Sequence, residues 1–150
     1  MDVPVPARFF SLREANALLS MLQEEFSRAR QLRDDLMGVQ QKLQEAGHGI
    51  EGPDIEIDPE APQAVQRLQA RAVRIIGKLR DILREVSELG VEVKAADGLV
   101  DFRSKLHGRT VLLCWRYGED RVGFFHELDA GFAGRRPLPA DGDFVGDLLQ

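Results

Sequence analysis

The chain has 150 residues, of which 43% are hydrophobic, and this size and composition fit one domain that can bury a core. Its formal net charge of −5 disfavours nucleic acid as a partner, because proteins that bind phosphate backbones normally present a basic face. The single cysteine excludes an intramolecular disulfide and suits a reducing cytoplasm, and no apolar run is long enough to span a bilayer. We therefore expect one cytoplasmic domain over residues 1–150 that binds neither nucleic acid nor a membrane.

A capping-box pattern predicts where the first helix begins. Ser11 is followed three residues later by Glu14, so each side chain can accept a hydrogen bond from the other residue's main-chain amide. Apolar residues then recur at three- and four-residue steps as far as Leu43, and the pattern stops at Gly47-His48-Gly49. The sequence predicts one helix over residues 11–46.

The second amphipathic segment carries a heptad seam, in which apolar residues alternate four- and three-residue steps. Gly90 lies where a helix commonly ends, so we predict a helix over residues 59–89 that packs on the first as an antiparallel, coiled-coil-like hairpin. Ile76 and Leu83 widen its apolar stripe, and we expect them to contact the sheet or a second subunit. A four-helix bundle made from two hairpins would bury them, which favours a homodimer, with another protein partner as an alternative.

After Gly90 the apolar period changes from helical to alternating, and turn residues interrupt it at short intervals. This pattern predicts about four antiparallel strands within residues 91–128. Residues 129–150 contain several glycines and prolines, so we predict an irregular tail that ends in a helical turn over residues 144–149. The predicted fold class is α+β, with a long helical hairpin followed by a small antiparallel sheet.

The register of the last predicted hairpin depends on its turn. A two-residue turn at Glu119-Asp120 would pair Trp115 with Phe124 and Leu113 with His126. A three-residue turn would shift the pairing and exchange the residues of the two faces. The sequence does not decide between these alternatives.

Three segments resemble a known family of small bacterial proteins, the domain of unknown function 2203. They are FFSLREANALL near the start, LGVEVKAADGLVDF after the helices, and GRTVLLCWRYGED followed by GFFHELDAGFAGRRPL. The chain departs from the family pattern at Arg103, where proline is usual, and at Phe125, where a tryptophan usually precedes the histidine. The resemblance implies a fold and a bacterial, cytoplasmic setting, and it implies no activity.

A histidine and several carboxylates near the end of the last predicted strand are candidate ligands of a divalent metal. His126, Glu127 and Asp129 are close in sequence, but adjacent residues of a strand point to opposite faces. A site would therefore need Asp129 or a distant group such as Asp101 to complete it. The alternative is a histidine held by a hydrogen bond at the hairpin edge and a glutamate paired with an arginine.

The segment that follows could bind an anion. Arg135 and Arg136 offer two guanidinium groups, and the glycine-rich turn with Gly131 and Gly134 offers main-chain amides. The spacing matches neither a P-loop nor a dinucleotide fingerprint. In the alternative interpretation both glycines take positive φ, Phe132 fills the core and the arginines pair with the acidic helices.

No nucleophile and base, complete metal set or phosphate loop names a reaction. Cys114 lies in an apolar strand and is expected to behave as a small hydrophobic residue, and Trp115 is expected to lie in the core. The preferred hypothesis is an assembly module, not an enzyme, that self-associates through its helices. The alternative is a metal- or anion-binding protein, or an enzyme, with its site between the sheet and residues 129–137. A buried His126 beside Asp101 or Glu127 in a concave pocket would favour the alternative.

Overall fold

A computed structural model of the protein describes residues 8–52 and 54–147. Contacts along the chain divide it into two compact units. One unit comprises residues 27–82, and the other comprises the residues on either side of that segment. Among the described residues, none of the helices combines the length and the apolar character needed to cross a membrane.

The first helix begins where the capping box predicts. The Ser11 amide donates to Glu14 Oε1 at 2.9 Å, and the Glu14 amide donates to Ser11 Oγ at 3.1 Å. The predicted single helix is nevertheless divided into α1 (Leu12–Ala17) and α2 (Leu19–Glu45). At the division the Leu18 amide bonds to the Ala15 carbonyl, three residues back, which tightens one turn of the helix.

The helix α3 spans Gln63–Glu88 and begins four residues later than predicted. Asp58 accounts for the delay, because its side chain accepts a bond from the Glu60 amide and its carbonyl accepts one from the Ala61 amide. These bonds close a turn ahead of the helix. In the unit formed by residues 27–82, α2 and α3 share an apolar cluster whose buried members are Val39, Leu43, Ala61, Val65, Ala72 and Ile75.

The other unit contains one antiparallel sheet. The four predicted strands are present as β1 (Glu92–Ala95), β2 (Leu99–Leu106), β3 (Arg109–Arg116) and β4 (Phe124–His126), and they pair in that order. Two short strands extend it, since β5 (Arg136–Pro137) pairs with β4 and β6 (Phe144–Val145) pairs with β2. The α+β fold class is confirmed.

The tail differs from its prediction in the part that can be described. The predicted helical turn over residues 144–149 is wrong at Phe144 and Val145, which form β6. Phe144 is buried opposite Leu106, so burial of its ring on the sheet replaces the expected local helix. Residues 148–150 lie outside the described residues.

The two hairpins of the sheet have different turns. His107 and Gly108 connect β2 to β3 with φ angles of 51° and 80°, the positive values that a two-residue primed turn requires. A longer connection, residues 117–123, joins β3 to β4, and it pairs Leu112 with His126 and Cys114 with Phe124. The register set by a two-residue turn at Glu119-Asp120 is therefore wrong by one residue.

The inner face of the sheet holds the core of this unit. Trp115 is fully buried, as predicted, and its indole N–H donates to the Glu119 carbonyl at 2.9 Å. Phe26 contacts the indole with ring centroids 6.4 Å apart. On the next strand Val100 lies opposite Trp115, and it is also fully buried.

Replacing Trp115 with alanine should lower the free energy of unfolding by about 3–5 kcal/mol, because the vacated volume can only partly be refilled. Urea denaturation followed by circular dichroism measures the change. A variant with wild-type stability would contradict the placement of this side chain in the core.

Candidate functional site

The sheet register places three polar side chains together on the face opposite Trp115. Asp101 on β2 pairs with Cys114 on β3, and His126 on β4 pairs with Leu112, two residues further along β3. Because side chains alternate along a strand, Asp101, Cys114 and His126 all project from this second face. The three residues are at most 2% exposed. We refer to them as the polar cluster.

His126 has both ring nitrogens within hydrogen-bonding distance of oxygens. Nδ1 lies 2.8 Å from the Glu127 carbonyl oxygen, and Nε2 lies 3.1 Å from Asp101 Oδ2. A carbonyl oxygen can only accept, so Nδ1 carries a proton and donates it. The contact between Nε2 and Oδ2 then needs a second proton, which is either on the imidazole or on the carboxyl. Asp101 and His126 therefore share one proton.

The carboxyl group of Asp101 is poorly compensated for its burial. Removal from water raises its pKa above the usual 3.8, and the opposing attraction of His126 does not cancel this effect. Its second oxygen, Oδ1, is buried and has no hydrogen-bond partner among the described residues. Such an unsatisfied buried oxygen destabilises the fold, and a bound cation would satisfy it.

The Cys114 thiol completes the cluster. Burial raises its pKa to about 11, the charge of Asp101 acts in the same direction, and a hydrogen bond with Arg135 opposes both. The thiol is thus protonated at neutral pH, which agrees with the expected role of a small buried residue and not of a nucleophile. Its sulfur nevertheless lies close to the other two donors, since one ligand atom from each residue falls within 4.8 Å of the others.

A cleft of about 230 Å³ reaches the polar cluster. Asp101 and His126 are among its lining residues, and Lys94 is the other charged one. Its remaining side-chain walls are apolar and come from Leu99, Leu112, Leu128 and Phe132. The cleft lies between the sheet face and the segment after β4, which is where the ligand-binding alternative predicts a site.

The family model for the group described as "Uncharacterized conserved protein (DUF2203)" matches residues 8–138. The chain belongs to this family. The match includes every residue of the polar cluster and every wall of the cleft, so the DUF2203 region contains the whole candidate site. No curated protein and no solved structure has a significant match to the chain.

Two of the metal-ligand candidates in this DUF2203 protein lie outside the polar cluster. Glu127 is paired with Arg109 at 2.9 Å and with Arg136 at 3.2 Å. The hydrogen bond from Arg109 has the largest effect on the pKa of the Glu127 carboxyl, and together the two arginines lower it. Asp129 is exposed to solvent. The structure brings Asp101 and His126 together and leaves Glu127 and Asp129 apart from them.

Both arginines of the predicted anion site have carboxylate partners on the hairpin. Arg135 binds Glu119 with two nitrogens, at 3.0 and 2.7 Å, and its guanidinium lies 3.9 Å from the Phe124 ring centroid and 4.3 Å from that of Phe132. Arg136 pairs with Glu127. Neither arginine therefore presents an unpaired fork to an anion.

The structural alternative proposed for this loop is wrong in three details. Gly131 has a φ of 77°, but Gly134 is not among the glycines with positive φ. Phe132 is 37% exposed and does not fill the core, since it stacks on Arg135 at the surface. The arginines pair with acidic residues of the hairpin and not of the helices, because β5 holds them beside β4.

Sequence analysis missed Cys114 as a member of the site. Its membership follows from the one-residue shift in the β3–β4 register, which moves His126 onto the face shared by Cys114 and Asp101. A signal was present, since the strand residues opposite the expected core face included Cys114 among apolar neighbours. A sheet face with so many apolar side chains is normally packed against other residues. Leu128 and Phe132, from the segment after β4, lie on the same side of the sheet and line the cleft there.

Replacing Asp101 with asparagine should stabilise the metal-free protein progressively as the pH rises. The folded wild type holds a proton in the Asp101–His126 pair, and the raised pKa of Asp101 means that the unfolded chain releases its proton first. Wild-type stability is therefore lost as the pH rises towards that raised pKa, whereas an asparagine amide does not titrate and can still donate to the neutral His126 imidazole. We expect the advantage of D101N to grow as the pH rises from 3.8, the usual pKa of an aspartate, through the raised pKa of Asp101.

Urea denaturation with a chelator present measures this difference, and D129N is the matched control because Asp129 is exposed. A constant difference between D101N and wild type across the pH range would show that Asp101 titrates normally.

Proposed function

We propose that this protein binds a divalent transition-metal ion of the zinc type through Asp101, Cys114 and His126. The supporting observation is the convergence of a carboxylate oxygen, a thiol sulfur and an imidazole nitrogen within 4.8 Å of one another. All three residues are nearly inaccessible to water. This convergence, with the adjoining cleft, favours the metal-binding alternative over an assembly module as the main function.

The donor types select the class of metal. Magnesium and calcium prefer oxygen ligands, and a site with a sulfur and a nitrogen donor suits Zn²⁺ or another late first-row ion. Structural zinc sites usually have four protein ligands, whereas catalytic sites have three and leave one position open. Three donors beside a cleft correspond to the second arrangement.

The groups around the cluster suit this role. His126 Nδ1 donates to the Glu127 carbonyl at 2.8 Å, which is the orientation that leaves Nε2 free to bind a metal. The Arg135 guanidinium interacts with the Cys114 thiol and is itself fixed by Glu119. A positive group at that position stabilises a thiolate, so these outer contacts support metal binding by both residues.

A bound ion would also resolve the strain of the metal-free cluster. It would give Asp101 Oδ1 a partner, replace the proton shared with His126 and replace the proton of the Cys114 thiol. Binding should therefore release about two protons near neutral pH and weaken as the pH falls. A reduced thiol is needed throughout, so we place the protein in a reducing, cytoplasmic setting, and the bacterial origin implied by the family resemblance remains part of this proposal.

Titration of the metal-free protein with Co²⁺ should produce the near-ultraviolet charge-transfer absorption of a cobalt–thiolate bond, and Zn²⁺ should abolish it by displacement. D101N should bind more than about 100-fold more weakly, since loss of even an outer-shell partner of a ligand typically costs 10- to 100-fold. Calorimetry in two buffers of different ionisation enthalpy measures the released protons.

The control is D129N, which should bind like the wild type. Absence of the thiolate band in wild type, or equal weakening in D101N and D129N, would contradict the proposal. C114S should bind weakly and lack the band.

We also propose self-association through the helices as a second property. In the unit formed by residues 27–82, Val73 on α3 is 40% exposed and Met37 on α2 is 59% exposed. Ile76, one turn after Val73, is only half-buried. Exposed apolar side chains on a helix favour a contact that removes them from water. A second copy of the chain can provide this contact, and homodimers are the commonest oligomers.

Light scattering should report twice the chain mass at tens of micromolar protein, and Val73→Glu should shift the population towards the monomer because it introduces a charge into an apolar contact. Arg71→Glu also makes this helix more negative, at an exposed neighbouring position, so it is the control for the effect of charge alone. A wild-type monomer at that concentration would contradict the proposal.

A further inference from the structure

We propose that the cleft beside the polar cluster binds a compact carboxylate with an apolar body, such as a small aromatic or branched aliphatic acid. This inference rests on the proposed metal site. The carboxylate would occupy the open position of the metal and approach Lys94, and the apolar body would contact the four hydrophobic walls.

The volume of the cleft limits the size of the ligand. It measures about 230 Å³, which is below the usual range for drug-sized ligands and above the ~150 Å³ cavity that accepts benzene. A nucleotide, a sugar phosphate or a peptide is therefore too large to be enclosed. A molecule of benzoate size fits.

The walls determine the character of the ligand's body. Leu99 and Leu112 come from the sheet, whereas Leu128 and Phe132 come from the segment after β4. Leu128 is 56% exposed and Phe132 is 37% exposed, so both still have apolar surface to bury. An apolar group between the two pairs of walls would remove that surface from water, which is the main source of affinity for such a ligand.

The charges at the cleft favour an anionic head group. With Asp101 and Cys114 both deprotonated, a divalent ion leaves the metal site neutral and able to accept one more ligand. Lys94 supplies the nearby positive charge. Its ammonium lies 3.4 Å from a Glu92 carboxylate oxygen, which is a long contact, and its side chain is 44% exposed, so the ammonium keeps N–H groups that can donate to a ligand. Glu92 is shared with Arg103, also at 3.4 Å, which weakens its hold on Lys94.

The test uses the Co²⁺-loaded protein and follows its visible absorption while benzoate, acetate or benzyl alcohol is added. Benzoate should perturb the cobalt spectrum and bind at least about tenfold more tightly than acetate, because only benzoate buries an apolar ring. Benzyl alcohol, which has the ring but no charge, should bind at least about tenfold more weakly than benzoate.

With the metal site saturated by cobalt, Lys94→Met should weaken benzoate binding about tenfold, whereas Lys78→Met, at an exposed lysine on α3, should leave benzoate binding unchanged. Leu128→Asp should weaken benzoate more than acetate. These results would support the inference.

The outcomes separate this inference from the proposed function. If Co²⁺ does not bind, the proposed function fails and the inference fails with it. If Co²⁺ binds but benzoate and acetate have equal affinity, or if Lys94→Met and Lys78→Met behave alike, the metal site stands and the carboxylate inference is overturned.

Discussion

The candidate site depends on one constraint, which is that His126 donates its Nδ1 proton to a main-chain carbonyl. That hydrogen bond fixes the ring and turns Nε2 towards Asp101 at 3.1 Å. In the absence of a metal the two groups hold one proton between them, although each residue is only 2% exposed. The sheet register also places the Cys114 thiol beside Asp101 and buries the second carboxylate oxygen of Asp101 without a hydrogen-bond partner among the described residues. Burying polar groups of this kind costs free energy, and groups that are buried at such a cost are common at functional sites.

The sheet sets the positions of the three polar side chains, and the segment after β4 forms the outer wall of the cleft beside them. Antiparallel pairing of β2, β3 and β4 sets three polar side chains on one face, while Trp115 and its neighbours fill the other. The ion pair of Arg135 with Glu119 attaches β5 and the preceding loop to the hairpin. The same loop carries Leu128 and Phe132, which line the cleft, and Phe132 packs against the Arg135 guanidinium.

Much of the fold could be predicted from the sequence, because its signals are local. The capping box at Ser11, the heptad seam ending near Gly90 and the alternation in the strands each depend on residues close together in the chain. The β3–β4 register could not be predicted, since it depends on the conformation of residues 117–123 and on burial of both faces. The same limit applies to the site. His126 and Asp101 were identifiable as candidates, and alternation along the strand already set Glu127 on the face opposite His126, but the addition of Cys114 follows from the register.

A crystal structure of the protein grown with Zn²⁺, with anomalous data at the zinc edge, would show whether the polar cluster holds a metal ion. We expect one strong anomalous peak among the three side chains, with bonds of about 2.0–2.3 Å to Asp101, Cys114 and His126 and one position facing the cleft. If no peak lies there and Asp101 remains hydrogen-bonded to His126, the proposed metal site is wrong.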